Sequence, residues 1–114
     1  MHEYSLVQAL VSRVEEEARR RQALKVHSLS LRVGELSGVD PELLRSAYEL
    51  FREGTVCAGV PLSVTRVAAL WSCPRCKLPI ASGAVLRCPS CALPAELSEG
   101  ADALSLDSIE MEVP

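Results

Sequence analysis

Four of the five cysteines form two C-x-x-C pairs, Cys73 with Cys76 and Cys88 with Cys91, and eleven residues separate the pairs. A C-x-x-C turn aims two sulfur atoms at one point, so two such turns supply the four thiolates of a tetrahedral zinc site. We expect residues 77–87 to form a short hairpin that brings one turn over the other. Because all four ligands come from the protein, the site would be closed, and its metal is predicted to be structural.

The cysteine spacing leaves alternatives open. Iron in a rubredoxin-like site would use the same four sulfurs, and two disulfides or a redox-active C-x-x-C could use them in pairs. No secretory signal and no thioredoxin-like strand–helix setting accompanies either pair, which disfavours the last two. The fifth cysteine, Cys57, is predicted to be a reduced thiol without a special role.

The N-terminal residues Met1, His2 and Glu3 are the second place where metal chemistry could occur. A histidine in second position disfavours removal of Met1, so the α-amine is expected to stay on that residue. The amine, the deprotonated His2 amide and the imidazole Nδ1 can close two chelate rings around one ion. Three in-plane nitrogens favour Ni(II) or Cu(II), with the Glu3 amide or an outside ligand in fourth position. The alternative is a solvated terminal histidine.

Composition excludes several classes of protein. A chain of 114 residues with 48% hydrophobic content predicts one globular core, and the low aromatic content makes that core aliphatic. A net charge of −3 argues against a general nucleic-acid or anionic-membrane surface. No apolar run is long enough to span a bilayer, and no catalytic triad, phosphate loop or isolated carboxylate pair indicates an enzyme. No internal repeat is expected.

Two helices are predicted. Residues 4–21 carry apolar side chains at helical spacing, with acidic and basic residues on the opposite side and Arg19, Arg20 and Arg21 at the C-terminal end. The second helix starts at Asp40 and Pro41, where aspartate caps the helix and proline takes the first position, and it is expected to end at Gly54.

Three strands are predicted at residues 26–36, 61–70 and 104–113, the last with a bulge near Asp107. In the first strand His27 has the parity of the covered face, so we interpret it as a strand-end residue rather than a metal ligand. Residues 94–102 have the composition of a loop. The predicted fold class is α+β: a small three-stranded sheet with two helices and an inserted zinc-ribbon-like lobe carrying the four cysteines. We place the α/β domain, which would carry the N-terminal metal site, at residues 1–70 plus 101–114 and the zinc-binding lobe at 71–100.

The chain resembles the hydrogenase nickel-incorporation proteins, the HypA/HybF family, over nearly its full length. Four features carry the resemblance: the opening M-H-E-Y-S-L at residues 1–6, R-V-G-E-L-S-G-V at 32–39, the two C-x-x-C pairs, and L-S-L-D-S-I-E at 104–110. The cysteine quartet alone occurs in many zinc ribbons. Its combination with a Met-His-Glu terminus is far more specific.

The resemblance implies a cytoplasmic nickel metallochaperone that is not an enzyme. Ni(II), the transferred cargo, would bind at His2 with the Met1 amine and neighbouring backbone nitrogens such as that of Glu3, and structural Zn(II) would bind the four cysteines. The implied partners are a hydrogenase-maturation GTPase and the large subunit of nickel-iron hydrogenase, and some relatives also supply urease. A monomer or a weak homodimer is expected. This chain lacks the additional histidine that some members place near the zinc lobe, and its residues 100–104 depart from the family's usual Gly-x-Glu-Leu.

The alternative function is a zinc-ribbon adaptor that binds protein or nucleic acid. Arg75, Lys77 and Arg87 would then contact phosphates. Against this interpretation, four thiolates on one Zn(II) carry a formal charge of about −2, and nearby cations are needed for that reason alone. Trp71 is the one aromatic residue near the cysteines on which a base could stack.

Overall fold

A computed structural model of the chain describes residues 2–81 and 85–114. Of His2 it describes the helical backbone but not the side chain. Helix α1 spans His2–Arg20 and confirms the first predicted helix. Its residues Val7, Val11 and Val14 are buried, as the spacing predicts for the face turned toward the core. Glu3 lies in its first turn and two arginines lie in its last, an arrangement that matches the helix dipole.

Helix α2 spans Pro41–Phe51 and begins as predicted. The Asp40 Oδ1 atom accepts hydrogen bonds from the backbone N–H of Glu42 at 2.9 Å and of Leu43 at 3.4 Å, which satisfies two donors that have no partner inside the helix. Leu44 and Tyr48 are buried in the core, and Gly54 follows the helix with a φ of +76°.

In the described residues, six strands form two separate sheets. They are β1 (Lys25–Gly34), β2 (Leu62–Val67), β3 (Trp71–Ser72), β4 (Pro79–Ile80), β5 (Glu96–Leu97) and β6 (Leu104–Glu112). The main sheet has the order β2-β1-β6, with β1 parallel to β2 and antiparallel to β6. The small sheet has the order β4-β3-β5 and lies, along the chain, between β2 and β6. The predicted fold class is therefore confirmed.

Two bulges shape the pairing of β1 with β6. Ser30 lies opposite Ser108 and Leu31 opposite Leu106, so Asp107 is the extra residue, as predicted. The second bulge was not predicted. Val26 lies opposite Met111 and Ser28 opposite Glu110, which leaves His27 as an extra residue of β1.

The assignment of His27 to the covered face is wrong, because the bulge reverses the alternation at this end of the strand. Val26 is buried in its place, and His27 is exposed with its Nε2 atom 3.1 Å from Glu112 Oε1. The interpretation of residues 94–102 as a loop also needs correction, since β5 lies within them. The hairpin predicted at residues 77–87 includes residues 82–84, which lie outside the described part of the chain.

The core lies between the two helices and one face of the main sheet. Its buried members within residues 2–81 and 85–114 are thirteen: Val7, Val11, Val14, Ala18, Val26, Leu29, Leu31, Val33, Leu44, Tyr48, Cys57, Val60 and Leu62. The Tyr48 hydroxyl donates a hydrogen bond of 2.8 Å to the Val60 carbonyl, so the one phenol in this core is satisfied. Among the described residues, no helix is both long and apolar enough to cross a membrane.

Candidate metal centre

The small sheet brings the four predicted cysteines together. The sulfur atoms of Cys73, Cys76, Cys88 and Cys91 all lie within 4.8 Å of one another, and Cys73 Sγ is 3.5 Å from Cys91 Sγ. A zinc–sulfur bond of about 2.3 Å places the sulfurs of a regular tetrahedron roughly 3.8 Å apart. A disulfide would instead need about 2.05 Å. The spacing therefore fits four ligands around one ion, and none of the five cysteines, all of which are described, forms a disulfide.

Each C-x-x-C turn is built in the same way. In the first, the Cys76 N–H points at Cys73 Sγ at 3.3 Å, the Lys77 N–H donates to the Cys73 carbonyl at 2.9 Å, and the Cys73 N–H donates to the Leu78 carbonyl at 2.9 Å. Lys77 has a φ of +61°, which turns the chain back on itself. The turn therefore holds its sulfurs through backbone geometry alone.

The second turn repeats the two backbone bonds, while the N–H that points at its first sulfur belongs to a residue one position earlier. The Ser90 N–H points at Cys88 Sγ at 3.4 Å, and the N–H groups of Ala92 and Cys88 make bonds of 2.9 Å to the carbonyls of Cys88 and Leu93. Ala92 has a φ of +62°, close to that of its counterpart in the first turn. We refer to residues 73–79 and 88–94 as the first and second knuckle.

The knuckles are a short internal repeat, so the expectation that the chain contains none is wrong. Both read C-P-x-C-x-L-P. The repeat is visible in the sequence, but at seven residues it is much shorter than the repeats that build solenoids and propellers. It shows that the two halves of the centre use one local design, including a non-glycine residue at positive φ directly after the second cysteine.

The electrostatics of the sulfurs favour a cation at their centre. Backbone N–H groups of Cys91 and Ser90 lower the pKa of the Cys88 thiol to about 6, and the Cys76 N–H lowers the pKa of the Cys73 thiol. The neighbouring sulfurs of Cys91 and Cys88 raise the pKa of Cys76 to about 12. Four sulfurs this close cannot all ionise unaided, whereas a divalent cation between them would stabilise all four thiolates. The donor set is that of a closed zinc or iron site.

One of the proposed phosphate contacts has another role. The Arg87 Nη1 atom donates a 2.9 Å hydrogen bond to the Ala92 carbonyl, the residue with positive φ in the second knuckle. Its guanidinium therefore supports the turn that carries Cys88 and Cys91. This contact accounts for the arginine without a nucleic acid.

The N-terminal site is described only in part. Met1 and the His2 side chain, both predicted nickel ligands, lie outside the described residues. Glu3 is described, and the residue is 9% exposed. Because α1 begins at His2, the N–H groups of its first turn have no acceptor within the helix. The predicted nickel ligation by the Glu3 amide stays a prediction.

Cys57 is separate from the quartet. It is fully buried in the main core, and burial raises the pKa of its thiol. This environment disfavours a reactive thiol, since reactive cysteines are exposed and have lowered pKa values.

Comparison with known proteins identifies the family. The HypA family model, described as hydrogenase/urease nickel incorporation metallochaperone, matches residues 1–111. The hydrogenase maturation factor HypA of Wolinella succinogenes is 35% identical over 114 residues, covering 98% of this chain and 96% of the relative. The solution structure of the Ni metallochaperone HypA from Helicobacter pylori superimposes with a TM-score of 0.69 at 30% identity, covering both chains completely. A second HypA solution structure gives a TM-score of 0.74 at 32% identity, covering 97% of this chain and 96% of the other. The resemblance seen in the sequence is therefore confirmed, and the chain belongs to the HypA family of nickel-incorporation metallochaperones.

Proposed function

We propose that this protein binds Ni(II) at its N-terminus and delivers it for assembly of the nickel-iron hydrogenase active site. The observation that carries the proposal is the family match over residues 1–111, together with relatives named as hydrogenase maturation factors. It would act in the cytoplasm with a maturation GTPase and with the hydrogenase large subunit as recipient. Because the family description also includes urease, urease maturation is a second possible destination.

The proposed nickel ligands are the Met1 amine, the His2 amide and imidazole, and the Glu3 amide. The start of α1 at His2 supports this set, because the amides of a first helical turn have no acceptor inside the helix and can lose their protons to a metal. Four nitrogens in one plane suit the square-planar preference of Ni(II). The Glu3 carboxylate, whose side chain is buried, is left out of the set.

The proposed ligands of structural Zn(II) are Cys73, Cys76, Cys88 and Cys91. Their mutual distances and their thiolate chemistry support zinc, which prefers four tetrahedral sulfurs. The residues around the quartet would then form the zinc-binding lobe at 71–100, and residues 1–70 plus 101–114 the nickel-binding domain. The two donor sets separate the metals, because soft sulfurs retain zinc in a closed site while nitrogens at a chain end offer an open one.

Calorimetric titration of Ni(II) into the untagged protein tests the nickel site. Both His2→Ala and a variant with two residues added before Met1 are expected to lose at least about tenfold in affinity, since each removes a ligand from the chelate. His27→Ala is the matched control, because His27 is the chain's other histidine and is expected to leave nickel affinity unchanged. Zinc content, measured by metal analysis, should stay the same in all variants. Unchanged nickel affinity in both N-terminal variants would refute the site.

A separate experiment tests delivery. Deleting the gene should lower nickel-iron hydrogenase activity in cells, and the wild-type gene should restore it whereas His2→Ala should not. If deletion leaves hydrogenase activity intact, the proposed destination is wrong even when nickel binds as described. If His2→Ala restores activity fully, delivery does not depend on the N-terminal site.

A further inference from the structure

Two short segments connect the main sheet to the small sheet. We call residues 68–70, between β2 and β3, the outgoing strap, and residues 98–103, between β5 and β6, the return strap. Their positions are set by different kinds of contact. This difference affects how the small sheet is oriented relative to the main sheet.

The return strap is fixed to the backbone of β1 and the turn after it. The Gly34 N–H donates to the Ala103 carbonyl at 2.8 Å, and the Leu36 N–H donates to the Ala101 carbonyl at 2.7 Å. Ala101 is fully buried, and a Cβ atom at Gly34 would collide with the carbonyls of Ala101 and Gly100. Glycine is therefore required at position 34 by close backbone packing, and this strap cannot shift without breaking that contact.

The outgoing strap is held largely by two side chains. The Ala69 N–H donates to Glu35 Oε1 at 2.7 Å, the Leu70 N–H donates to Ser98 Oγ at 3.1 Å, and Ser98 Oγ donates to the Ala68 carbonyl at 2.8 Å. One backbone bond, from the Ser98 N–H to the Leu70 carbonyl at 2.8 Å, accompanies them. The side-chain bonds are exposed, so water can replace each of them at small cost.

We propose that Glu35 and Ser98 form a latch that sets the orientation of the small sheet, and of the four cysteines next to it, relative to the main sheet. Glu35 follows the end of β1 directly, and Ser98 follows the end of β5 directly. The outgoing strap leads into β3, whose last residue, Ser72, precedes Cys73. Opening the latch releases the outgoing strap from Glu35 and from the Ser98 hydroxyl, while the backbone bond between Ser98 and Leu70 moves with the small sheet. Residues 101–103 of the return strap stay anchored to β1 and the turn after it, and they act as the hinge. Neither sheet needs to unfold for this movement.

The chemistry of each latch residue defines matched variants. Glu35 acts only as an acceptor, so Glu35→Gln keeps a carbonyl oxygen in place whereas Glu35→Ala removes it. Ser98 donates and accepts through one hydroxyl, which Ser98→Thr keeps and Ser98→Ala loses. Glu53→Ala with Ser105→Ala is a control pair, because both residues are exposed and lie elsewhere on the surface.

Nitrogen-15 relaxation and amide exchange on the full-length, metal-loaded protein test the latch. In Glu35→Ala/Ser98→Ala, exchange of the Ala69 and Leu70 amides should rise by about tenfold, the effect of losing one ordinary hydrogen bond at each amide. Amides of β3–β5 should show a shorter rotational correlation time than those of the main sheet. Glu35→Gln/Ser98→Thr and the control pair should behave as wild type, and the slow exchange of Leu29 and Leu31 should be unchanged in all.

Either of two results would overturn the proposal. Unchanged exchange at Ala69 and Leu70 would show that the side chains do not hold the strap. Faster exchange with a single correlation time for both sheets would show that the strap does not set their relative orientation. If the double variant unfolds, Glu35→Ala alone gives the same readouts at Ala69.

Discussion

The main α/β part and the four-cysteine lobe are held together by different physical means. In the described part of the chain, the apolar core between the helices and the sheet of the main part has thirteen buried residues. In the described part of residues 71–100, the buried residues are Cys73 and Cys88. A segment this short cannot build an apolar core, so bonds from sulfur to a metal must replace one. The two parts should therefore respond to different perturbations.

The largest expected effect comes from removing a sulfur. Cys88→Ser should abolish metal binding in the lobe and with it the ordered structure of β3–β5, because metal binding supplies the folding free energy there. The main sheet should persist, since its core contains none of the four ligands. Metal analysis and a nitrogen–proton correlation spectrum would show both results.

Cys57→Ala is the matched control for that experiment. It removes the one cysteine that lies in the main core, so the protein should lose some stability yet keep its full metal content. Loss of metal from Cys57→Ala, or a lobe that stays ordered in Cys88→Ser, would contradict the division between the two parts.

The second effect targets the main core. Leu29 is 1% exposed at the centre of β1, and Leu29→Ala should lower the free energy of unfolding by about 2–5 kcal/mol through lost burial and a residual cavity. Urea denaturation followed by circular dichroism would measure it. Because the lobe is held by its metal, metal content under native conditions should be unchanged, and parallel loss of metal would show that the two parts fold as one unit.

The structural features behind these predictions differ in how well the sequence alone predicts them. The spacing of Val7, Val11 and Val14 predicts helix α1, and Asp40 with Pro41 predicts the start of α2, because local physics decides both. The C-x-x-C pairs predict a four-sulfur cluster, since their spacing leaves few other arrangements. Elements governed by local periodicity or by ligand geometry were therefore predictable.

Features that depend on pairing between distant strands were harder to predict. The bulge at Asp107 shifts the alternation of apolar and polar residues along its strand, so it could be predicted from the sequence. The bulge at His27 has an apolar residue on one side and a polar residue on the other, so the alternation shows no shift there. The roles of Gly34, Glu35 and Ser98 depend on straps that come from distant parts of the sequence. Only the folded chain shows the close packing that requires glycine at position 34 and the Ala69 N–H that Glu35 accepts.

The third effect is a pH dependence that belongs to the core. Burial raises the pKa of Tyr48 to about 12, from 10 in an unfolded chain. The folded state thus holds the phenol proton more tightly, and this contribution to stability is fully present below pH 10 and is lost as the pH rises toward 12. Between these values the free energy of unfolding should fall by up to about 1.4 kcal/mol per pH unit.

Tyr48→Phe isolates this contribution. The variant should lose about 1 kcal/mol at neutral pH, because the hydroxyl bond to the Val60 carbonyl is gone while Arg52 Nη1 still donates to the same oxygen at 2.9 Å. Its stability should depend less steeply on pH between 10 and 12 than that of the wild type. The free energy of unfolding is measured by urea titration at several pH values in this range. If it falls equally steeply with pH in the variant and the wild type, the assignment to Tyr48 is wrong.

The smallest effect concerns a residue of the main sheet that is not part of its core. The bulge turns His27 to the surface, where its ring lies 3.1 Å from Glu112 Oε1 and both side chains are about half exposed, at 42% and 55%. An exposed ion pair of this kind contributes at most about 1 kcal/mol to the free energy of unfolding, and salt weakens it. A double-mutant cycle with His27→Ala and Glu112→Ala should therefore give a coupling free energy below about 0.5 kcal/mol. A coupling above about 1 kcal/mol would mean that this pair fixes the register between β1 and β6, and the stability of the main part would then depend on a surface contact as well as on its apolar core.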